Sequence, residues 1–337
     1  MKLVSYFEQD MEQLGLWHDG KIYNLSRNAS RFALTIPDTM AMFLMDGEES
    51  MSDALKLNGE IIWGNSKITA SQASAETLLA PVPHPTSCRD GYAFRQHVEA
   101  ARRNRKVEML KEFDQYPVFY FTNHNSITGP GEIYCMPDHF QKLDFELEAA
   151  VVIGKQGRNI SAKDANHYIA GYMIMNDFSA RTLQMEEMLL NLGPAKGKDF
   201  ATAIGPWLVT PDELEQFIIP PKPNHTGSNH NLKMICRVNG QQVSEGNMGD
   251  MDWTFAEIIE RASYGVDLLP GDVIGSGTVG TGCFLELNGT GLLHNPAHPT
   301  QWLQDGDIVE MEIAGLGLLK NTIRKAETDY SILALKK

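Results

Sequence analysis

Two glutamates in residues 144–153 have a spacing that could create a metal site on a strand. Glu146 and Glu148 alternate with apolar residues, so both carboxylates would project from one face of a strand, roughly 7 Å apart. The strand continues into the apolar run 149–153. Carboxylates beside such a run repel each other unless a cation or arginine side chains neutralise them. The simpler alternative is a half-exposed strand with a solvated acidic face.

Two further acids extend this candidate site. Taken singly, Asp177 is better explained as a helix N-cap and Asp90, which precedes Gly91, as a turn residue. Taken with Glu146 and Glu148, they could form an all-oxygen site, because no Cys or His residues cluster with them in the sequence. Oxygen ligands of this kind suit Mg²⁺, Mn²⁺ or Ca²⁺ rather than zinc.

The elements that must position these acids are mostly strands, and we predict a mostly β, α+β fold. Strands are predicted near residues 118–121, 145–153, 172–175, 207–209, 232–238, 272–274, 283–287 and 308–313. Helices are predicted over roughly residues 92–111, 180–190 and 253–263. A further helix should begin after Thr210, where Pro211 suits the first helical position and Glu213 completes a capping box.

A proline-rich segment divides the chain into two predicted domains. Residues 80–86 contain three prolines, which remove hydrogen-bond donors and restrict the preceding residues. We therefore predict a small N-terminal α+β domain over residues 1–80 and a catalytic domain over residues 81–337. In the first domain, Asp19 and Gly20 lie between two alternating segments and predict a hairpin turn.

Composition restricts the partners and the compartment. The formal net charge of −14 disfavours binding to nucleic acid and to anionic membrane surfaces. No stretch has the length and apolar character of a membrane span or of a secretory leader. The four cysteines are dispersed, which favours reduced thiols in the cytoplasm. An anionic substrate would need local positive side chains.

One glycine pattern suggests a different function. Gly275, Gly277 and Gly280 satisfy the G-x-G-x-x-G spacing of dinucleotide-binding loops. In such sites a helix follows the glycines and its N-terminus holds the pyrophosphate. Residues 281–287 instead have the pattern of a strand, so we predict that no NAD binds there.

Four motifs, taken in order along the chain, resemble the fumarylacetoacetate hydrolase family. They are Asp90-Gly91-Tyr92 leading to Arg95-Gln96-His97, Asp144-Phe145-Glu146-Leu147-Glu148, Asn176-Asp177-Phe178-Ser179-Ala180-Arg181 and Gly275-Ser276-Gly277-Thr278. The similarity covers about residues 83 to 325. It implies a mixed β-sandwich roll as the catalytic domain, a smaller N-terminal α+β domain and a homodimer.

The resemblance also implies a set of site residues. Divalent-cation ligands fall on Asp90, Glu146, Glu148 and Asp177. The family's water-activating histidine falls on His97, the glutamate that orients it on Glu286, and the lysine that holds developing negative charge on Lys198. Positions that contact substrate fall on Tyr92, Tyr120, Arg181, Gln184 and Thr278.

The function implied is hydrolysis of a carbon–carbon bond in an acylpyruvate or related diketo acid, as in aromatic catabolism. Met188 stands where a second substrate-facing tyrosine would be expected, and Thr182 where many members have aspartate, so fumarylacetoacetate need not be the substrate. Decarboxylation, dehydration or isomerisation of a 2-oxo acid on the same metal site is the alternative. Ala100 argues against decarboxylation, because small decarboxylating members place an acid there. A non-catalytic metal-binding protein is the alternative of another class.

Overall fold

The computed structural model describes residues 1–337 and begins with a strand hairpin followed by short helices. These elements are β1 (Lys2–Glu8), β2 (Met11–His18), β3 (Lys21–Asn24), α1 (Leu25–Ala29), α2 (Met40–Asp46) and α3 (Glu48–Ile62). Asp19 and Gly20 both have positive φ angles, 46° and 73°. That conformation is the one a two-residue hairpin loop requires, so the predicted turn between β2 and β3 is confirmed.

The rest of the chain is rich in strands and contains four more α-helices. The strands are β4 (Cys88–Gly91), β5 (Phe119–Thr122), β6 (Ile127–Thr128), β7 (Gly131–Cys135), β8 (Leu143–Asp144), β9 (Leu147–Ile153), β10 (Gly157–Arg158), β11 (Ile169–Asp177), β12 (Ser179–Ala180), β13 (Thr202–Val209), β14 (Ile218–Ile219), β15 (Asn229–His230), β16 (Lys233–Val238), β17 (Gln241–Asn247), β18 (Asp267–Leu268), β19 (Val273–Gly275), β20 (Ile308–Ile313) and β21 (Gly317–Lys325). The helices are α4 (Arg95–Asn104), α5 (Arg181–Met188), α6 (Phe255–Ala262) and α7 (Phe284–His294). None of the helices combines the length and the apolar composition that a membrane span requires.

Two large sheets contain most of these strands, and three two-stranded sheets contain the others. The larger sheet has the order β3-β2-β1-β13-β11-β9-β19-β4-β5, with β6 also paired to β13. The smaller sheet has five strands in the order β17-β16-β20-β21-β7. Because β1 pairs with β13, the first hairpin of the chain extends the same sheet that contains the candidate metal ligands.

The central strand β9 is buried on both faces, and its residues alternate between two hydrophobic cores. Leu147, Ala149 and Val151 belong to a core of 43 buried residues. Ala150 and Val152 belong to a second core of 24 residues, which lies on the side of helices α1 to α3. By the same alternation, Glu148 projects to the side of Ala150, as the sequence pattern predicts.

Residues 283–287 are not a strand, which corrects one prediction. They enter helix α7, and Cys283 is its N-cap residue. The carboxylate of Asp144, far away in the sequence, accepts hydrogen bonds from the Phe284 N–H (2.7 Å) and the Leu285 N–H (2.9 Å). These bonds satisfy two of the free N–H groups at the helix start. The alternating apolar pattern of these residues is typical of a strand. The helix forms because the distant Asp144 carboxylate caps its start, and a local sequence pattern cannot reveal that contact.

The predicted helix after Thr210 is also different. Residues Pro211–Phe217 form a 3₁₀ helix, and Thr210 makes no side-chain cap bond. The Thr210 hydroxyl instead accepts a hydrogen bond from the amino group of Met1, and Glu213 forms an ion pair with that group at 3.1 Å. The chain N-terminus therefore takes both groups that would have formed the capping box.

Helix α4 is shorter than the prediction of roughly residues 92–111. It ends at Asn104, and two residues later Lys106 adopts a left-handed conformation with φ of 57°. A residue in that conformation terminates a helix. The basic run 102–106 therefore lies at the helix end and does not continue the helix.

Candidate metal centre and active site

Four carboxylates from neighbouring strand ends form a buried cluster. Asp90 lies on β4, Glu148 on β9, Asp177 at the end of β11, and Glu146 directly before β9. In the large sheet β4 is next to β19, β19 next to β9 and β9 next to β11, so these strand ends meet. One oxygen from each of the four carboxylates lies within 4.8 Å of the others, and all four residues are buried.

The glycine-rich segment after β19 lies against these carboxylates. A Cβ atom on Gly275 would stand 2.5 Å from the Asp90 Oδ1 atom, so only glycine leaves room for this carboxylate. The Gly277 N–H donates to Asp90 Oδ1 at 3.0 Å, and the Thr278 hydroxyl donates to Glu148 Oε1 at 3.3 Å. Gly275 and Gly277 of the G-x-G-x-x-G spacing therefore pack against the acidic cluster.

The helix after these glycines is not available to bind a dinucleotide. A helix does follow the glycines, contrary to prediction, but α7 begins after Cys283 and its first two N–H groups are bonded to Asp144. Those donors are therefore not free to hold a pyrophosphate. The structure gives no support for an NAD site at this segment.

Two buried cations neutralise part of the cluster. Lys198 donates to Glu146 and, at 2.8 Å, to Asp177. Arg181 donates to Glu146 Oε1 at 2.7 Å and to Asp144 Oδ2 at 2.9 Å. Arg181 therefore forms buried ion pairs with two of the acids around this point. A substrate role for Arg181 and Lys198 stays a prediction.

The four acids are of two kinds: the pKa of Glu146 is lowered, whereas burial raises the pKa values of Asp90, Glu148 and Asp177. Burial raises the pKa of Glu146, but Arg181 and Lys198 together lower it more, so the net shift is downward. Burial, reinforced by Asp177, raises the pKa of Asp90 to about 7. Burial, reinforced by Asp90, raises the pKa of Glu148 well above its usual range. A further positive charge beside them would favour the ionised forms of Asp90 and Glu148.

The donor atoms fit a hard divalent cation. Glu148 Oε2 and Asp177 Oδ1 are buried and have no hydrogen-bond partner. Orphaned buried carboxylate oxygens are unfavourable unless an ion coordinates them. Carboxylate oxygens are the ligands that Mg²⁺, Mn²⁺ and Ca²⁺ prefer, and the four residues present them at one point.

A histidine–glutamate pair lies beside this cluster. His97 on α4 places its Nδ1 atom 2.7 Å from Glu286 Oε2 in the first turn of α7. The second oxygen of Glu286 accepts a hydrogen bond from the Thr281 N–H at 2.9 Å. One ligand atom each of His97, Glu146 and Cys283 lies within 4.8 Å of the others. The structure thus brings His97 and Glu286 together beside the acidic cluster, and the role of His97 as a base stays a prediction.

The predicted substrate-contact residues surround the same point. The Tyr120 hydroxyl donates to Asp177, and the Gln184 side chain accepts a hydrogen bond from Arg181 at 2.9 Å. The ring of Tyr92 meets that of His97 edge-on, with centroids 5.9 Å apart. Thr278 is bonded to Glu148. Contact of these side chains with a substrate stays a prediction.

Sequence reasoning missed three residues of the site. Asp144 is fully buried and links Arg181 to the start of α7. Asn176 accepts a hydrogen bond from the Glu146 N–H at 3.0 Å and so fixes the backbone before β9. Cys283 lies beside His97. Asp144 could have been found from its place two residues before Glu146, but Cys283 gave no signal because its neighbours come from distant segments.

Comparison with known proteins finds a family that matches this fold and its buried acidic cluster. The family described as fumarylacetoacetate (FAA) hydrolase C-terminal matches residues 86–324. The chain belongs to the fumarylacetoacetate hydrolase family, so the family membership that the four motifs indicated is confirmed.

Relatives with near-complete coverage carry a more specific name. The human mitochondrial oxaloacetate tautomerase FAHD2A is 33% identical over 305 residues, which cover 88% of this chain and 83% of that protein. The oxaloacetate tautomerase YisK of Bacillus subtilis is 30% identical, covering 90% and 93%. Among solved structures, the fumarylacetoacetate hydrolase of Exiguobacterium antarcticum superposes with a TM-score of 0.69 at 24% identity, covering 97% of this chain and all of that one. The last similarity concerns the fold and confirms the predicted α+β class.

Proposed function

We propose that this protein is a metal-dependent enzyme that interconverts the keto and enol forms of a small 2-oxo dicarboxylic acid, with oxaloacetate as the first candidate. The observation that carries the proposal is the buried His97–Glu286 pair, at 2.7 Å, beside the four-carboxylate cluster. Tautomerisation needs one base and one electrophile next to each other. The names of relatives at 33% and 30% identity support this choice of reaction.

The electrophile would be a divalent cation held by Asp90, Glu146, Glu148 and Asp177. When bound, it supplies Lewis-acid polarisation of the 2-oxo group, which acidifies the neighbouring carbon. Lys198 lies between Glu146 and Asp177 and would help to offset the negative charge of the substrate. The ion is proposed as Mg²⁺, Mn²⁺ or Ca²⁺, because all four ligands are oxygens.

The base would be His97, acting through the ring nitrogen that Glu286 leaves free. In the direction from keto to enol, it would take the proton from the carbon next to the oxo group and give a proton to the oxo oxygen. In the direction from enol to keto, it would take the proton from that oxygen and give one to the carbon. Glu286, bonded to Nδ1, would keep the ring in the required tautomer and stabilise the imidazolium while it exists. The Thr281 N–H fixes the other oxygen of Glu286 and so limits its movement.

Hydrolysis of a carbon–carbon bond in an acylpyruvate is the second candidate. It is favoured by the same pair, because a histidine held by a carboxylate can equally deprotonate a water molecule beside a cation. Decarboxylation or dehydration of a 2-oxo acid would use the same cation site. The reactions differ in products: tautomerisation leaves every carbon–carbon bond intact, whereas hydrolysis releases a carboxylic acid.

A single panel of assays distinguishes the candidates. Protein loaded with Mg²⁺ is mixed with enol oxaloacetate, and the decay of the enol absorbance is compared with the release of CO₂; a parallel set of acylpyruvates is tested for acid products. We expect faster enol decay without CO₂, and a loss of about 10³-fold in kcat for His97→Ala. His84→Ala is the matched control, because that side chain is 79% exposed. Acid release from acylpyruvates with no effect on enol decay would replace the first candidate by the second.

A homodimer in the cytoplasm completes the proposal. The four cysteines are free and buried, which is consistent with a reducing compartment. Light scattering during size-exclusion chromatography measures the assembly, and a monomer mass would remove the dimer from the proposal.

A further inference from the structure

A second group of ligand atoms lies beside the carboxylate cluster. His97, Glu146 and Cys283 each offer one ligand atom within 4.8 Å of the others, and all three residues are buried. They come from helix α4, from the residue before β9 and from the N-cap of α7. Glu146 belongs to both groups, so ions in the two positions would share its carboxylate.

The chemistry of the second group differs from that of the first. Nitrogen, sulfur and carboxylate oxygen together are the ligands that Zn²⁺ prefers, and three protein ligands leave one position for water. The four-carboxylate group has only hard oxygens, which Mg²⁺, Mn²⁺ and Ca²⁺ prefer. The two adjacent groups therefore select different ions.

The surroundings orient the nitrogen and sulfur ligands. Glu286 holds His97 Nδ1 at 2.7 Å, which is the carboxylate–histidine contact that metal-ligating histidines usually make, and it leaves Nε2 for an ion. Cys283 stands at the N-terminus of α7, a helix of 11 residues. The first two N–H groups of that helix are bonded to Asp144, and burial raises the pKa of the Cys283 thiol, so the ion itself must displace the thiol proton.

We propose that His97, Glu146 and Cys283 form a second metal site, selective for zinc-like ions, whose occupation inhibits the enzyme. Binding replaces the thiol proton of Cys283 by the ion and releases that proton to the buffer. An ion on Nε2 removes the lone pair with which His97 would accept a proton. The inhibition rests on the proposed function, whereas the binding of the ion does not.

Cobalt reports the binding directly in the unmodified protein. With Mg²⁺ in excess to fill the oxygen site, Co²⁺ is added and the near-ultraviolet spectrum is recorded. We expect a thiolate-to-cobalt charge-transfer band that saturates at about one equivalent and disappears when Zn²⁺ is added. Absence of that band in the wild type would overturn the site without any variant.

Three variants assign the band to residues. Cys283→Ser should abolish it, and Glu286→Gln should keep it but weaken zinc binding by about 10-fold to 100-fold, because the orienting carboxylate is lost. Cys135→Ser is the matched control, since Cys135 is also buried but lies on β7 in the smaller sheet, and it should change neither band nor affinity. A band that survives Cys283→Ser, or one that Cys135→Ser removes, overturns the assignment. If Cys283→Ser does not fold, the wild-type spectrum and Glu286→Gln still decide the outcome.

Turnover separates the two parts of the inference. At saturating Mg²⁺, one equivalent of Zn²⁺ should reduce enol decay in step with occupation of the second site measured by cobalt displacement. A cobalt band without inhibition by zinc would overturn the inhibitory role while retaining the site. Protein that forms the band but has no tautomerase activity would contradict the proposed function and not the site.

Discussion

At the scale of single residues, the site is governed by an imbalance of charge. Asp90, Glu146, Glu148 and Asp177 are buried together, and Lys198 and Arg181 offset only part of their charge. Glu146 carries most of these contacts, so Glu148 and Asp90 are left with raised pKa values. The roles of the individual acids can therefore be separated by experiment.

The first prediction concerns Glu148, whose Oε2 atom is buried without a partner. Glu148→Gln should weaken Mn²⁺ binding, measured by calorimetry, by about 100-fold or more, because a ligand oxygen is lost. The metal-free variant should be at least as stable as the wild type, since burial already disfavours the charged form of this carboxylate. Glu132→Gln, at an exposed ion pair with Arg324, is the control and should leave the affinity unchanged. Equal Mn²⁺ affinity in both variants would remove Glu148 from the ligand set.

Arg181 gives the second prediction, because its guanidinium is bonded to two buried carboxylates, Asp144 and Glu146. Arg181→Met leaves Asp144 without a cationic partner and Glu146 with Lys198 alone, and should lower the free energy of unfolding by about 3–5 kcal/mol. The control is Arg158→Met at an exposed ion pair with Asp267, where solvent screens the interaction and the loss should be small. Urea unfolding in the presence of a chelator measures both, and a similar small loss in the two variants would show that Arg181 is not a structural cation.

At the scale of elements, strands position the carboxylates and helices bring the base. The ends of β4, β9 and β11 meet at one point because they are near neighbours in a single sheet. The His97–Glu286 contact joins α4 to the first turn of α7. The segment after β19 lies between these two parts, and glycine is required where it passes Asp90.

Gly275 tests that close approach. The added methyl group of Gly275→Ala would meet Asp90 Oδ1 at 2.5 Å and Met175 Sδ at 2.8 Å. We expect Mn²⁺ affinity to fall by about 10-fold or more, because Asp90 must move. Gly59→Ala on α3 has open space around the new Cβ atom and should raise stability by about 0.5–1 kcal/mol. Unchanged metal affinity in Gly275→Ala would show that the Asp90 carboxylate adapts.

The sequence predicted the strands of this site better than its helices. The alternation around Glu146 and Glu148 survives in β9, because a buried central strand is determined by its own apolar pattern. The start of α7 could not be predicted, since its stabilising group, Asp144, lies about 140 positions earlier in the chain. The capping box after Thr210 failed for the same reason, because the distant Met1 amino group occupies it. A local pattern therefore predicts the type of an element correctly only where no residue from a distant part of the chain makes a stronger contact with it.

At the scale of the whole molecule, two buried histidines outside the site link stability to pH. His139 packs on Phe200 with ring centroids 4.0 Å apart, and its Nδ1 atom accepts a hydrogen bond from the Met136 N–H at 3.2 Å. Burial, aided by Lys196, lowers the pKa of His139 to about 4. His230 Nδ1 is buried without a partner, and burial lowers its pKa to about 4 as well.

Both histidines should therefore destabilise the protein in acid. Their pKa values lie near 4 in the folded state and near 6.5 in the unfolded chain, so between those pH values the unfolded chain binds more protons. The contribution of each buried neutral histidine to the free energy of unfolding is fully present above about pH 6.5. It is lost as the pH falls towards 4, by up to about 3 kcal/mol for each group. His230→Phe keeps a ring against Tyr172 but cannot bind a proton, so urea unfolding from pH 7 to pH 4 should show a shallower loss. The exposed His84→Gln should retain the wild-type slope, and equal slopes in all three proteins would contradict the assignment.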